Sequence, residues 1–359
     1  MKHILFMALL CVVYNTQAVA QGCVAIRGAG GTSCSITGHL LHADTSGYTL
    51  TLNTRYFKSY KHYVGTEEQK QRVALGTEVI NHTFIMDIGL TKTINKFWSA
   101  ALNVPVIAND RSSLYEHANR GRFTTSSFGL GDIRLSAYRW IKDPMRMPNF
   151  NVQVGLGIKL PTGDYRYTDR FTTATGTVVG PVDQSIQLGD GGTGFTVELN
   201  AYQRLGKRLN LYGNLFYLVN PREQNGVSTA RGGTPSAAAI LYTTDVMSVP
   251  DQYLIRAGLN YQVRKFTFSG GLRFECIPAK DLIGGNEGFR RPGEILTVEP
   301  GITYMLSKLN LFINIPTAIM RNRTQSYPDQ IRSNITGTYH NGDAAFADYA
   351  INIGMSLKL

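Results

Sequence analysis

One stretch of the chain alternates between apolar and polar residues over an unusual length. From Phe150 to Leu160, every second residue is apolar and the residues between are polar or glycine. Successive side chains of a β-strand point to opposite faces, so this stretch predicts a strand with one apolar and one polar face. Strands of soluble sheets usually hold about five or six residues, whereas a membrane-spanning strand needs roughly 9 to 11. The length therefore favours a transmembrane strand.

The same alternation recurs along the rest of the chain and predicts about twelve strands. The predicted strands are 48–60, 78–90, 98–106, 128–140, 150–160, 196–204, 209–219, 252–262, 266–277, 295–306, 309–318 and 348–359. The phase of the fourth strand is less regular near Arg139, where we expect a β-bulge.

The connections between the predicted strands alternate between long and short. The long ones are 61–77, 107–127, 161–195, 220–251, 278–294 and 319–347. The short ones are 91–97, 141–149, 205–208, 263–265 and 307–308. Outer-membrane barrels separate long extracellular loops from short periplasmic turns in this way, whereas a soluble sandwich has no reason to do so. We therefore predict an all-β protein, a transmembrane antiparallel up-and-down β-barrel over residues 47–359.

The N-terminus has the features of an export signal. Lys2 precedes an apolar run over 4–14, and Ala18-Val19-Ala20 offers a cleavage site, so residues 1–20 are predicted to be a cleaved signal peptide. No later apolar run reaches the roughly 18 residues of a transmembrane helix. Export and a barrel together predict a location in the bacterial outer membrane.

A glycine-rich segment, 21–46, lies between the signal peptide and the barrel. We expect it to be either a periplasmic extension or a plug inside the lumen. Cys23 and Cys34 are expected to form a disulfide in an oxidising compartment, with two free thiols as the alternative. His39 and His42 have no further cysteine at ligand spacing, so neither a metal site nor another cofactor is predicted.

Charged residues of the predicted strands fall mainly on the polar face, which would line a wet lumen. They could form an ion-pair network that stiffens the barrel, or a constriction that filters solutes. The candidate lumen residues are Arg55, Asp87, Asp132, Arg134, Lys159, Glu198, Arg204, Arg256, Arg273, Glu275 and Glu299. Lys159 precedes Leu-Pro-Thr-Gly at the end of a strand. This segment could simply terminate the strand, or Lys159 could attract anions at the outer mouth.

Four segments resemble one family of outer-membrane proteins, which is named for the meta-pathway of phenol degradation. FGLGDIRLSAYRW at 128–140 and GLGIKLPTGDY at 155–165 are similar to its signature pair. NVPV at 103–106 and GDGGTGF at 189–195 are similar to its third-strand pattern and its glycine-rich loop. The resemblance implies a β-barrel that moves small, hydrophobic or aromatic molecules across the outer membrane. It implies no catalytic residues.

We therefore predict that the protein is not an enzyme but a passive channel or transporter for small hydrophobic or anionic molecules. The alternative is a structural or surface-interaction barrel with an occluded lumen. An outer-membrane lipid hydrolase is disfavoured, because Phe84 stands two residues after His82 where such enzymes carry a serine nucleophile.

The expected partners follow from the compartment and the charge. They are outer-membrane lipid and lipopolysaccharide, a small-molecule solute, and the barrel-assembly machinery. The net charge of +11 favours anionic solutes or lipopolysaccharide phosphates. No nucleic acid is expected outside the cell.

Overall fold

The computed structural model describes residues 46–359. The predicted signal peptide, the proposed Cys23–Cys34 disulfide and the pair His39 and His42 lie outside the described residues. The position of segment 21–46 therefore stays a prediction.

Twelve antiparallel strands form a closed barrel, as predicted. Each strand pairs with its neighbours along the chain, and the first strand pairs with the last to close the sheet. The strands are β1 (Gly47–Val64), β2 (Ile80–Thr93), β3 (Trp98–Ser113), β4 (Phe123–Leu130 and Arg134–Trp140), β5 (Phe150–Lys159), β6 (Gly194–Arg204), β7 (Leu209–Val219), β8 (Gln252–Val263), β9 (Phe266–Ile277), β10 (Gly293–Val298 and Gly301–Met305), β11 (Leu309–Asn314 and Thr317–Asn322) and β12 (Ala344–Lys358).

Three strands are interrupted within the wall. In β10 and β11 the interruptions contain Pro300 and Pro316, which have no N–H to donate to the ladder. The interruption of β4 at 131–133 shifts its phase by one residue. The predicted β-bulge near Arg139 is wrong in position, because Arg139 pairs regularly with both Trp98 and Val154.

Long loops and short turns alternate at the two ends of the barrel, as predicted. The long loops are L1 (65–79), L2 (114–122), L3 (160–193), L4 (220–251), L5 (278–292) and L6 (323–343). We call their side the long-loop end and the other side the short-turn end. Most long loops are shorter than predicted, because several strands extend beyond the alternating stretches at the long-loop end.

The long loops hold the helices and small strands of the described chain. The helices are α1 (Lys70–Ala74) in L1, α2 (Ala237–Leu241) in L4 and α3 (Tyr327–Thr336) in L6, with 3₁₀ turns at Tyr115–His117 and Gln184–Ile186. The small strands are Glu67–Glu68, the hairpin Thr168–Thr173 with Gly176–Pro181, and the pair Gln224–Ser228 with Val246–Ser248. No helix among residues 46–359 is long and apolar enough to cross a membrane.

The barrel has its apolar side chains on the outside and its polar side chains on the inside. The outward Leu156, Leu199 and Ile353 are 60%, 40% and 53% exposed, whereas the inward Asn200 and Asn352 are 1% and 2% exposed. A continuous apolar belt of this kind suits a hydrocarbon surrounding, in which the closed sheet also satisfies its own backbone groups.

Leu199 provides a test of this arrangement, because it lies at the middle of β6 on the outward face. We expect Leu199→Arg to lower the free energy of unfolding in lipid vesicles by about 2–4 kcal/mol, the cost of a cation at the bilayer midplane. Leu282→Arg, in the exposed loop L5, is the matched control and should change it little. Urea titration of each variant, followed by heat-dependent gel mobility, measures its free energy of unfolding. An equal loss of this free energy in both variants would contradict the assignment of Leu199 to the lipid-facing side.

Candidate functional site

An ion pair crosses the lumen of the barrel. Arg55 on β1 places Nη2 3.2 Å from Oε2 of Glu275 on β9. Strands β12, β11 and β10 separate β1 from β9 around the ring, so this contact spans the lumen rather than following the wall. Arg273 donates from Nη2 to Glu275 Oε1 at 2.6 Å. One carboxylate therefore contacts two guanidinium groups, one from its own strand and one from β1 across the lumen.

A second ion pair lies beside the first. Arg256 on β8 contacts Glu299 at the interruption of β10, and Arg256 and Arg273 are direct ladder partners. We call Arg55, Arg256, Arg273, Glu275 and Glu299 the arginine layer. All five side chains are buried. The layer holds three guanidinium groups and two carboxylates, so it presents an excess positive charge inside the lumen.

Three further predicted lumen residues contact partners on nearby strands and on L3. Lys159 Nζ lies 3.2 Å from Asp132 Oδ2 and also contacts Asp190 of L3. Glu198 Oε1 accepts a hydrogen bond from Tyr138 OH at 3.1 Å. These contacts link the walls formed by β4, β5 and β6 to one another and to L3.

The remaining predicted residues divide into two groups. In the first group, Arg134 places its guanidinium carbon 5.2 Å from the ring centroid of Phe216, across the lumen from β4 to β7. Asp87 belongs to the same group, because it lines a cavity inside the barrel together with Arg134 and Phe216. Arg204 lies exposed at the short-turn end of β6, and the structure does not bring it together with the others.

Loop L3 folds into the lumen from the long-loop end. Its Leu188 packs against Ile85 and Ile107, which point inward from β2 and β3. The carbonyl oxygen of Ile186 accepts hydrogen bonds from Asn109 Nδ2 at 3.2 Å and from Ser127 Oγ at 2.5 Å. We call residues 182–190 the L3 wedge. Sequence reasoning missed this wedge, although two inward isoleucines on neighbouring strands were a signal for it.

A buried ionic cluster holds the L3 wedge at the mouth. Arg291 of L5 donates two hydrogen bonds of 2.7 Å to the carboxylate of Asp183, and Arg111 of β3 lies 3.4 Å from it. Glu116 Oε1 of L2 lies 2.8 Å from Arg111 Nη2 and 2.6 Å from Nη2 of Arg231, which belongs to L4. This mouth cluster, Arg111, Glu116, Asp183, Arg231 and Arg291, therefore joins four loops to the barrel wall.

The charge state of Asp183 follows from its neighbours. Burial alone would raise the pKa of this carboxyl, but Arg111 and Arg291 outweigh burial and hold the pKa well below its usual value. Asp183 is therefore charged throughout the neutral and mildly acidic range. A bidentate Arg–carboxylate pair in such a dry setting is among the stronger polar contacts of proteins.

A cavity of about 120 Å³ lies inside the barrel beside the L3 wedge. An apolar cavity of about 150 Å³ can hold a benzene molecule, so this cavity is of similar size. Its apolar lining residues are Pro105, Ile107, Leu188, Phe216, Leu218 and Ile277, and its charged ones are Asp87, Asp132, Arg134, Lys159, Asp190, Arg290 and Arg291. The cavity can therefore hold a small molecule that has an apolar body and a polar or charged group.

Loss of the Asp183 charge should release the wedge. Asp183→Asn leaves three guanidinium groups with Glu116 as the one carboxylate of the mouth cluster, and we expect docking of the wedge to weaken by about 3 kcal/mol. Amide-hydrogen exchange of residues 182–190 should speed up accordingly. Asp164→Asn, an exposed carboxylate in the same loop, is the control and should leave exchange unchanged. Unchanged exchange in both variants would show that the cluster does not hold the wedge.

The depressed pKa of Asp183 predicts how docking depends on pH. A carboxyl with a lowered pKa in the folded state stabilises that state above its unfolded pKa, and the stabilisation is lost as pH falls through the folded value. Wedge docking should therefore stay constant between about pH 8 and pH 5 and weaken only in strong acid. Exchange of residues 182–190, corrected for the intrinsic pH dependence, measures this. Release of the wedge in mild acid would contradict the assigned charge state.

A solved outer-membrane channel shares the fold of this chain. An outer-membrane channel from Pseudomonas putida F1 is 10% identical, covers 94% of this chain and 100% of its own, and has a TM-score of 0.58. The translocator domain of the autotransporter NalP from Neisseria meningitidis is 14% identical, with 91% and 93% covered and a TM-score of 0.47. No curated protein matches the sequence.

The sequence itself identifies the family. The sequence profile described as MetA-pathway of phenol degradation matches residues 104–319, which is more than half of the chain. This range includes three of the four segments on which the resemblance was recognised, and all of the fourth except Asn103. The chain belongs to the family of outer-membrane barrel proteins named for the MetA pathway of phenol degradation.

Proposed function

We propose that this protein is a passive channel of the bacterial outer membrane for small molecules. The observation that carries the proposal is a closed barrel with an apolar outer belt and a charged lumen, entered by a loop that only non-covalent contacts hold in place. The similar barrel from Pseudomonas putida F1 bears the description of an outer-membrane channel. The long-loop end faces the outside and the short-turn end the periplasm, as in other barrels of this class.

The cavity beside the L3 wedge suggests the kind of solute. Phe216, Leu218 and Ile277 offer an apolar wall, and the charged residues offer positions for a polar group. The excess positive charge of the arginine layer disfavours cations. The solute is therefore a small molecule with an apolar or aromatic part, neutral or anionic, in agreement with the description of the family.

Passage requires the wedge to move. Leu188 and Ile186 occupy the lumen at the mouth, and the mouth cluster holds them there. L3 is the loop that fills the mouth, so in this proposal it is the gate. The channel conducts when residues 182–190 leave the lumen.

The remaining expectations belong to this proposal. The chain is exported with a cleaved signal peptide and inserted by the barrel-assembly machinery, and it acts without catalysis. Outer-membrane lipid surrounds the apolar belt. The arginine layer and Lys159 select among solutes.

Single-channel recording in planar bilayers tests the proposal. We expect small, fluctuating conductance from the wild type and larger conductance from Asp183→Asn, because the variant loosens the gate. Swelling of liposomes with solutes of graded size then gives the size limit of the open pore. Both proteins should be shown to be folded by heat-dependent gel mobility before recording.

A structural or surface-interaction barrel with an occluded lumen is the second candidate. The Arg55–Glu275 contact across the lumen and the inserted wedge favour it. The two candidates differ in one outcome. Absence of conductance from both the folded wild type and the folded Asp183→Asn variant would support the occluded barrel and reject the channel.

The substitution Arg273→Gln tests whether the arginine layer selects for anions. Removing the charge of Arg273 leaves Arg55 on Glu275, so Arg273→Gln makes the arginine layer neutral while keeping the ion pair across the lumen. We expect the reversal potential in a salt gradient to shift toward lower anion preference. Arg204→Gln removes the same charge from the exposed short-turn end and should shift it much less. Equal shifts in the two variants would mean that net charge, rather than the layer, sets the selectivity.

A further inference from the structure

A basic and aromatic cluster lies on the outer wall of the barrel near the long-loop end. Lys58 is exposed, and its Nζ lies 4.8 Å from the ring centroid of Tyr60. Lys61 Nζ lies 5.9 Å from the same ring. His82 is the ladder partner of Lys58 on β2 and is also exposed. We call Lys58, Tyr60, Lys61 and His82 the rim cluster.

A local irregularity of β1 creates this cluster. The register against β12 shifts between Phe57 and Ser59 and again between Ser59 and Lys61. Ser59 is buried on the lumen side, whereas Tyr60 and Lys61 are both partly exposed. In a regular strand these two neighbours would point to opposite faces. The bulge therefore places Lys61 on the same outer surface as Lys58.

The rim cluster lies at the height of a lipid headgroup layer. Strand β1 has 18 residues, whereas crossing the hydrocarbon layer takes roughly 9 to 11 residues. Residues 47–57 suffice for the crossing, and Lys58 comes next. The outward Tyr56 and Phe84, just below it on β1 and β2, lie where interfacial aromatic residues are expected.

One ammonium group at this place has no acidic partner in the described part of the chain. The carboxylate of Asp348 on β12 lies 2.9 Å from Lys61 Nζ and 2.6 Å from Arg321 Nη2. It also accepts a hydrogen bond of 3.1 Å from the Tyr60 hydroxyl. Among residues 46–359 no carboxylate forms an ion pair with Lys58. Lys61 and Arg321 share Asp348, and Glu68 also lies near Lys61, so those two cations are balanced. Asp110 of β3 is the ladder partner of His82. The Tyr60 ring lies against the Lys58 ammonium group, which is left to bind an anion.

We propose that the rim cluster binds a phosphate group of lipid A, the lipid part of lipopolysaccharide, in the outer leaflet. Lysine ammonium groups bind phosphate as point charges, and the Lys58 ammonium group, with Lys61 beside it, complements the negative charge of the phosphate. The proposal rests on the orientation given under the proposed function, in which the long-loop end faces the outer leaflet. It does not depend on conduction through the lumen.

The barrel contains a matched pair at its opposite end. Lys92 and Tyr48 are ladder partners on the same two strands, close to the short-turn end. Lys92 Nζ lies 4.9 Å from the Tyr48 ring centroid and donates to its hydroxyl at 3.0 Å. This pair has the same contact between an ammonium group and a ring as Lys58 and Tyr60, but it lies at the other end of the strands, away from Lys61 and Arg321.

Lipid binding to the detergent-solubilised full chain, measured by native mass spectrometry, tests the proposal. The probes are diphosphorylated lipid A, the same lipid A after phosphatase treatment, and phosphatidylglycerol. The variants are Lys58→Gln with Lys61→Gln, Lys58→Gln alone, and Lys92→Gln. Lys58→Gln breaks no ion pair of the described structure, so it stays informative if the double variant fails to fold.

We expect the double variant to bind diphosphorylated lipid A about tenfold more weakly than the wild type, Lys58→Gln to show a smaller loss, and Lys92→Gln none. Phosphatase-treated lipid A should bind the wild type as weakly as the intact lipid binds the double variant. Equal binding by wild type and Lys58→Gln would overturn the proposal. Equal loss in Lys92→Gln, or tighter binding of phosphatidylglycerol, would assign the effect to anionic lipid in general and would also overturn it. If the barrel binds lipid A as expected but does not conduct, only the channel proposal is rejected.

Discussion

The ladder between β1 and β12 is the interaction on which the rest of the structure depends. It runs from Thr49, opposite Lys358, to Tyr63, opposite Ala344, and the amide of Leu359 donates to the Tyr48 carbonyl at 2.9 Å. In hydrocarbon an open sheet edge would leave a row of N–H and C=O groups without partners, at several kcal/mol each. Closure removes both edges, and it turns the apolar face of the sheet toward the lipid and the polar face toward the lumen.

Closure also creates the interior that the charged residues occupy. A ring of twelve strands is wider than the eight-stranded barrels that side chains fill completely. Long side chains such as Arg55 and Glu275 reach across this space, and the L3 wedge fills the mouth. Each buried charge needs a partner because desolvation is costly, so the arginine layer and the mouth cluster share carboxylates between several guanidinium groups. Shared carboxylates tie walls and loops together at places where a polar solute would pass.

Much of the fold could be predicted from the chain, and less of the site. Strand phase placed Arg55, Arg256, Arg273 and Glu275 on the inward face, because alternation assigns a face to every strand residue. Alternation does not say which strands oppose each other, so the Arg55–Glu275 contact was out of reach. Asp183 was missed, together with its partners in the loops, because loop residues have no periodic face. The interruptions at 131–133, 299–300 and 315–316 also escaped, although Pro300 and Pro316 marked two of them.

By itself the sequence determined the strands, their two faces, the alternation of long loops and short turns, and the family. These features are local, since each depends on residue order at period two or on short motifs. The tertiary structure alone decided that L3 enters the lumen, that Asp183 and Arg291 meet, and that a bulge turns Lys61 outward beside Lys58. Those contacts join residues far apart in the chain, or on strands whose register the alternation leaves open. They exist only once closure of the sheet has brought the walls and loops together.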